Sequence, residues 1–249
     1  MTTTVETGAL HDSGCLFCRR HDGGFTSREH ILSEVLGNDK YILPPGVVCD
    51  RCNNRHLSLA DEALINFPPI TLLRGERGLP TKAGKAVASK WGNATIFWGP
   101  ERGTLNIVGG RKAVRGMRTD GRTSAGKLTL TTGGPITATR IGRMVRSVWK
   151  SALEFVYLDH GPDAAFAQGF DDARRAIIED GSHGWALLLK ESKTTESVEL
   201  TYEPRIVEGR PALPTVMNIF GVAIVTDPLM RDWDPDDLEY GEPFNVWRF

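Results

Sequence analysis

No cysteine follows position 52, and no stretch of the 249 residues approaches the roughly 20 consecutive apolar side chains that a helical bilayer span requires. The second absence excludes a helical membrane protein; the first confines any thiol chemistry to the amino-terminal part of the chain. The opening Met1-Thr2-Thr3-Thr4 also lacks the basic stretch and apolar run of a signal peptide, so a reducing cytoplasm is the expected compartment. Internal repeats and low-complexity tracts are missing too. What remains, 40% hydrophobic and 24% charged, is a composition able to bury a sizeable core.

Little net charge is left over, −1 in all, but it is unevenly spread. Between Arg74 and Lys127 there are twelve basic and three acidic residues; from Thr226 to Phe249 there are seven acids and two bases. A surplus of that size in the middle is the electrostatic footprint expected of a surface that holds a polyanion, against the alternative of a solvated charged face.

All four cysteines fall into two knuckles, Cys15-Leu16-Phe17-Cys18 and Cys49-Asp50-Arg51-Cys52. Two-residue spacing lets both thiolates of a knuckle turn onto one ion, and two knuckles complete a tetrahedral zinc shell with no position open for catalysis. These ligands therefore read as structural. Glu29-His30-Ile31 lies between the knuckles, and Asn53-Asn54 follows the second directly.

Periodicity predicts a strand over 25–32 ending in Glu29-His30 and a second short strand over 46–48 feeding Cys49. A helix is expected over 57–67, stopped by Pro68-Pro69. The middle reads as strands at 94–98, 104–108 and 127–131, with a long basic loop at 109–126. The clearest helix spans 139–158: Ile141, Val145, Val148, Ala152 and Phe155 form one stripe, and Arg143, Arg146 and Lys150 form a basic one. A second helix is expected over 162–179, then strands at 185–189, 198–202 and 216–226. The sum is an α+β chain, split into a zinc-dependent module over 1–72 and a larger mixed domain with antiparallel strands and two helices over 73–249. That larger domain carries a basic region at 74–150 and an acidic carboxy-terminal tail.

The text Cys15-x2-Cys18, Ser27-Arg28-Glu29-His30-Ile31-Leu32 and Cys49-Asp50-Arg51-Cys52-Asn53-Asn54 resembles the HNH endonuclease family, in the branch whose motif is flanked by a four-cysteine zinc cluster. The resemblance covers roughly the first quarter of the chain. It implies a ββα-metal finger with His30 as general base. Glu29 and Asn53 would be ligands of one catalytic Mg²⁺, Mn²⁺ or Ni²⁺ ion, with Asn54 or His56 as substitutes for Asn53. The family's middle asparagine has only Asn38 as a counterpart. Asp61, in the helix that follows, is either a carboxylate supporting His30 or Arg55, or a helix-surface acid.

The expected activity is then metal-dependent hydrolysis of phosphodiester bonds in DNA, double-stranded in the first instance, by an enzyme acting in restriction or anti-phage defence. Arg111, Lys112, Arg115, Arg118 and Arg122 on the basic loop, with Arg143, Arg146 and Lys150 on the helix, are the expected phosphate contacts. Two rivals stand beside it. One is a zinc-dependent nucleic-acid-binding protein without nuclease activity; the other is a homing-type nuclease, which the lack of DNA-reading repeats disfavours. No membrane partner is expected, and a homodimer is left open. Trp91, Trp98, Trp149 and Trp185 read as packing aromatics, and His11, His21, His160 and His183 as surface or turn residues.

Overall fold

The computed structural model describes residues 12–91, 94–99, 104–109, 137–179, 186–207, 209–229 and 245–248. The fold is mixed α+β, with four α-helices and antiparallel sheets among the described residues. The chain gathers into two compact units, one made of residues 1–65 with 138–249 and one of residues 66–137. It is thus not cut in sequence at 72/73. The cysteine module belongs with the carboxy-terminal half, and the segment between them forms a unit of its own.

In the first unit, β1 (Glu29–His30) pairs antiparallel with β2 (Ile42–Leu43), Glu29 opposite Leu43 and His30 opposite Ile42. The expected longer strand is reduced to this pair, and its partner is 42–43 rather than 46–48, which is a turn leading into the second knuckle. Asn38 explains the earlier pairing. Its amide donates to the Leu32 and Tyr41 carbonyls, its Oδ1 accepts from the Lys40 and Tyr41 backbone N–H groups, and it thereby ties the ends of the loop together. A six-residue π-helical turn, Cys52–Leu57, leads into α1 (Ser58–Ile65). Such a widened turn is uncommon and is found often at functional sites.

The long helix α2 (Ala138–Ala165) is the centre of this unit (α-helices are numbered here within the unit). Ile141, Val145, Val148, Ala152 and Phe155 are all buried, as the apolar stripe predicts. The basic stripe is not the solvent face expected of it. Arg146 and Lys150 are 7% and 0% exposed, with Ser147, Ser151 and Glu154 buried beside them. The reason is that α2 has neighbours on opposite sides. One side packs on the sheet, where Trp149 Nε1 donates to Thr226 Oγ1 at 2.9 Å; the other packs on α1 and the cysteine module. Gly161 at φ 83° breaks the helix before Pro162. The second helix expected over 162–179 starts after this break but is interrupted at 166–170 by a turn and a short 3-10 segment, and only α3 (Asp171–Ile178) is a separate α-helix.

The sheet holds five antiparallel strands in the order β12 (Asn245–Arg248), β6 (Ala186–Glu191), β11 (Val222–Thr226), β10 (Thr215–Ile219) and β7 (Glu199–Tyr202). The expected strand over 216–226 is two strands, because Phe220 and Gly221 both take positive φ, 58° and 106°. Two such residues make a tight hairpin whose twist matches its strands. A small hairpin joins β8 (Arg205–Val207) and β9 (Arg210–Ala212).

The second unit carries a helix at Pro68–Glu76 and a meander of β3 (Ala88–Trp91), β4 (Ala94–Trp98) and β5 (Leu105–Gly109). Trp98 packs as expected, donating from Nε1 to the Leu72 carbonyl at 2.8 Å. No helix among the described residues is long and apolar enough to cross a membrane.

Candidate functional site

The two knuckles meet because backbone bonds fold them onto one another: Leu16 N–H donates to the Val47 carbonyl and Asp50 N–H to the Gly24 carbonyl, both at 2.9 Å. Asp50 reinforces this from the second knuckle. Its carboxylate accepts from the backbone N–H and hydroxyl of both Thr26 and Ser27, and these bonds, the Ser27 hydroxyl first, hold its pKa below the usual carboxylate range. The result is that all four sulfurs lie within 4.8 Å of one another, with no disulfide among them.

This donor set fits a metal ion such as zinc. A tetrahedron with Zn–S bonds of about 2.3 Å has S···S edges of about 3.8 Å; Cys18 Sγ and Cys49 Sγ stand 3.7 Å apart. The backbone N–H groups of Cys49 and Cys52 point at the Cys15 and Cys49 sulfurs, as befits thiolates. The thiols also titrate as a group that carries negative charge unequally. Hydrogen bonding from Cys52 draws Cys15 down to about 5, burial pushes Cys49 up to about 11, and Cys52 is pushed far up by its bond to Cys15. Crowded thiolates repel one another, and a bound dication removes that repulsion. Among the described residues this is the one group of three or more His, Cys, Asp or Glu side chains close enough to hold an ion.

The structure ties Asn53 and Asn54 to the residues just before β1. Asn53 Nδ2 donates to the Arg28 carbonyl at 3.1 Å, and Asn54 Nδ2 lies 3.5 Å from Ser27 Oγ, so the π-helical turn is laced to the strand that carries His30. The His30 ring is half-buried, and its Nδ1 is buried without a hydrogen-bond partner. The His56 ring is hydrogen-bonded to the Ile178 backbone; burial, then Arg55, Arg51 and Arg146, lowers its pKa.

Glu29 goes elsewhere. Successive strand residues face opposite ways, and Glu29, 4% exposed, turns inward while His30 does not. Its Oε1 lies 2.6 Å from Lys150 Nζ. The same ammonium reaches Asp61 Oδ2 at 2.8 Å and the His30 carbonyl at 2.9 Å, with Glu154 Oε2 at 3.9 Å. Burial raises the Glu29 pKa in spite of the adjacent ammonium. Burial by itself would lower the Lys150 pKa, but Asp61, Glu29 and Glu154 together lift it well above its ordinary value. Glu29 therefore does not fit a dissociable catalytic ion here, since its charge is already met. Asp61 belongs to this group and not to the helix surface, and it also accepts from Ser147 Oγ at 2.6 Å.

Of the expected phosphate contacts, Lys150 and Arg146 are spent inside the fold. Arg146 donates to the Gly142 carbonyl and, from Nη1, to the Glu179 carbonyl at 2.8 Å. Arg143 on the same helix is half-buried, whereas Arg111, Lys112, Arg115, Arg118 and Arg122 lie outside the described residues. The exposed cations nearest in sequence to the site residues are Arg28, Arg51 and Arg55.

Sequence reasoning missed Glu154 and Arg174. Arg174, 2% exposed, donates from Nε to the Leu16 carbonyl and binds the Ala165 and Ala167 carbonyls and Asp171, clamping the first knuckle to α3. A signal for the Lys150 group was present in Ser147 and Ser151, small polar residues at helical spacing around Lys150, where a solvent face would carry long charged side chains. A cleft of about 440 Å³ lies on the far end of the hairpin loop, lined among others by Asn38, Tyr41, Phe155 and Thr201. Neither His30 nor the cysteines line it. Comparison with protein-family models, with curated proteins and with solved structures gives no match.

Proposed function

We propose that the chain is a zinc-stapled nuclease of the HNH type, hydrolysing phosphodiester bonds in DNA with His30 as general base. The observation that carries this reading is the His30 ring, set between two cysteine knuckles with Nδ1 buried and unpartnered. Unpaired buried polar atoms are rare in folded proteins and call for a catalytic role, a water or an ion to complete them. A neutral imidazole is the side chain best suited to take a proton from water near neutral pH. In this reading the exposed Arg28, Arg51 and Arg55, near His30 and the second knuckle in sequence, offset charge on the phosphate. No step is assigned to a divalent ion at Glu29.

A second reading, zinc-dependent nucleic-acid binding without hydrolysis, is favoured by one observation: the ion pair that takes Glu29 out of use. Incubating the purified chain with supercoiled plasmid, phage DNA bearing modified bases, and RNA, each with Mg²⁺, Mn²⁺ or Ni²⁺, separates the two. Nicking or linearisation by the parent chain and not by His30→Ala supports the nuclease. Binding without conversion under every condition supports the second reading, and neither binding nor conversion contradicts both.

A further inference from the structure

We infer that the cleft beside the hairpin loop is a docking groove for an extended peptide, which adds a strand to the open edge of β7. One apolar side chain of the peptide lies against Tyr41 and Phe155, and a basic one lies beside Glu199. The inference goes beyond the nuclease reading. No residue given a part in cleavage lines this cleft, and the test reads peptide binding, so either can fail without the other.

The walls are the first support. One of them is an unbroken run, Ser197 to Thr201. In β7, Glu199 and Thr201 are exposed while Leu200 and Tyr202 are half-buried, as strand alternation requires. Side chains of both faces line one cleft when the edge of the strand forms its wall. Among the described residues β7 ends the five-stranded sheet and pairs with β10 alone. Antiparallel pairs are bonded alternately. The Glu203 N–H donates to the Pro214 carbonyl, so 201/216 and 199/218 are bonded pairs as well. Leu200, opposite Met217, therefore turns its N–H and C=O away from β10, toward the open edge, and among the described residues nothing bonds to them. Such an edge is a template for another strand, and β7 has neither the proline nor the lysine that commonly blunts one.

The second support is the chemistry of the lining. At about 3.4 Å per residue, Ser197 to Thr201 extends over roughly 14 Å. The loop from Leu36 to Tyr41 walls the opposite side, which suits one extended segment. Leu32, Leu36, Tyr41 and Phe155 supply apolar surface, the two rings edge to face with centroids 4.9 Å apart. Tyr41 is 43% exposed, so part of its ring is open to a side chain. Asp39 and Lys40 carry one charge of each sign, and exposed Glu199 makes the lining negative, with exposed Glu196 three residues before it. Opposite charges stabilise cross-strand pairs. The groove thus selects basic residues alternating with apolar ones.

The probe is a fluorescein-labelled hexapeptide of alternating lysine and valine, added to the zinc-loaded full chain and followed by fluorescence anisotropy. Only alternate amides of an added strand face β7. N-methylation of the valine amides or of the lysine amides therefore separates strand pairing from simple adhesion. One methylated peptide is expected to bind roughly tenfold or more weakly, and the other to stay within about threefold of the parent peptide. A glutamate–valine peptide should bind roughly tenfold or more weakly, and Glu199→Lys should reverse that preference. Leu200→Pro removes an edge N–H and no bond to β10, and should weaken binding by roughly tenfold or more. No binding at millimolar peptide, equal effects of the two methylations, or an unaltered charge preference in folded Glu199→Lys overturns the inference. A parent chain that dimerises, with Leu200→Pro folded and monomeric, overturns it too, because a second copy then takes the edge. The peptide series is read on the parent chain and decides the matter whether or not the variants fold.

Discussion

Lys150 Nζ and Glu29 Oε1 lie 2.6 Å apart with side chains 0% and 5% exposed, so the residue before the candidate base is held by the central helix of the unit. The ammonium and Ser151 grip the backbone carbonyls of His30 and Ile31 as well. The hairpin between the knuckles is thus set by α2 as much as by the cysteine cluster. Arg174 does the same for the first knuckle through Leu16.

Removing the ammonium from that group should be severe. Breaking a buried ion pair by deleting one partner typically costs about 3–5 kcal/mol, and Lys150→Met is expected to lose stability in that range by urea unfolding. Lys40→Met, at an exposed lysine, should stay within about 0.5 kcal/mol of the parent. Equal stability of the two variants would show that the Lys150 group does not hold the hairpin.

Glu154 gives the pH dependence its sign. Burial, only partly offset by Lys150, raises its folded pKa well above the ordinary carboxyl value. In the window between an unfolded pKa of about 4.3 and that raised value, the folded chain binds more protons than the unfolded one. The Glu154 contribution is therefore fully present below the window and is lost as pH rises through it. Relative to Glu154→Gln, the parent should become steadily less stable from about pH 4.3 upward, read by denaturant unfolding at several pH values. A constant difference would mean that Glu154 titrates normally.

The cysteine cluster makes a paired prediction with glycines. A Cβ at Gly23 would stand 2.7 Å from Cys49 Cβ and 2.8 Å from its Sγ, whereas one at Gly142 in α2 meets nothing within 4 Å. Gly23→Ala should weaken metal retention against a chelator. Gly142→Ala should leave retention unchanged and raise stability by up to about 1 kcal/mol, the helix-propensity difference. Equal retention in the two would place the cluster's metal elsewhere.

Metal removal is the second check on that module. Cys52→Ser, or chelation of the parent, should release one zinc per chain and open the segment around the knuckles to protease, because structural zinc contributes roughly 10 kcal/mol or more to such a module. Full protease resistance without metal would mean that contacts such as Arg174 to Leu16 suffice by themselves.

Much of the local structure was legible from spacing. The knuckles, the apolar stripe of the long helix and strands near 94–98, 105–109 and 199–202 needed only short-range patterns to recognise. What could not be read were relations across the chain. Arg146 and Lys150 have the spacing of a solvent face, and they are interior because distant parts of the chain meet them, the Glu179 carbonyl at Arg146 and Glu29, Asp61 and the His30 carbonyl at Lys150. Glu29 and His30 are neighbours in the motif, yet strand alternation sends the two side chains apart. The turn and short 3-10 segment at 166–170 and the positive φ of Phe220 divided two elements that periodicity ran together, whereas the break at Gly161 falls between the two helices that the sequence kept apart. In the candidate site, the sequence located the cysteines, His30 and the two asparagines, but the buried partners of Glu29 come from a helix more than a hundred residues away.

The central claim is that His30 is the base of a nuclease, and the most direct test is the initial rate of plasmid cleavage by the parent chain and by His30→Ala at equal zinc content and equal DNA affinity. The account predicts a loss of roughly 10²- to 10⁴-fold, the usual contribution of a general base, with unfolding stability nearly unchanged because the ring is only half-buried and its Nδ1 makes no hydrogen bond that the substitution would break. Cleavage by His30→Ala at the parent rate would contradict it.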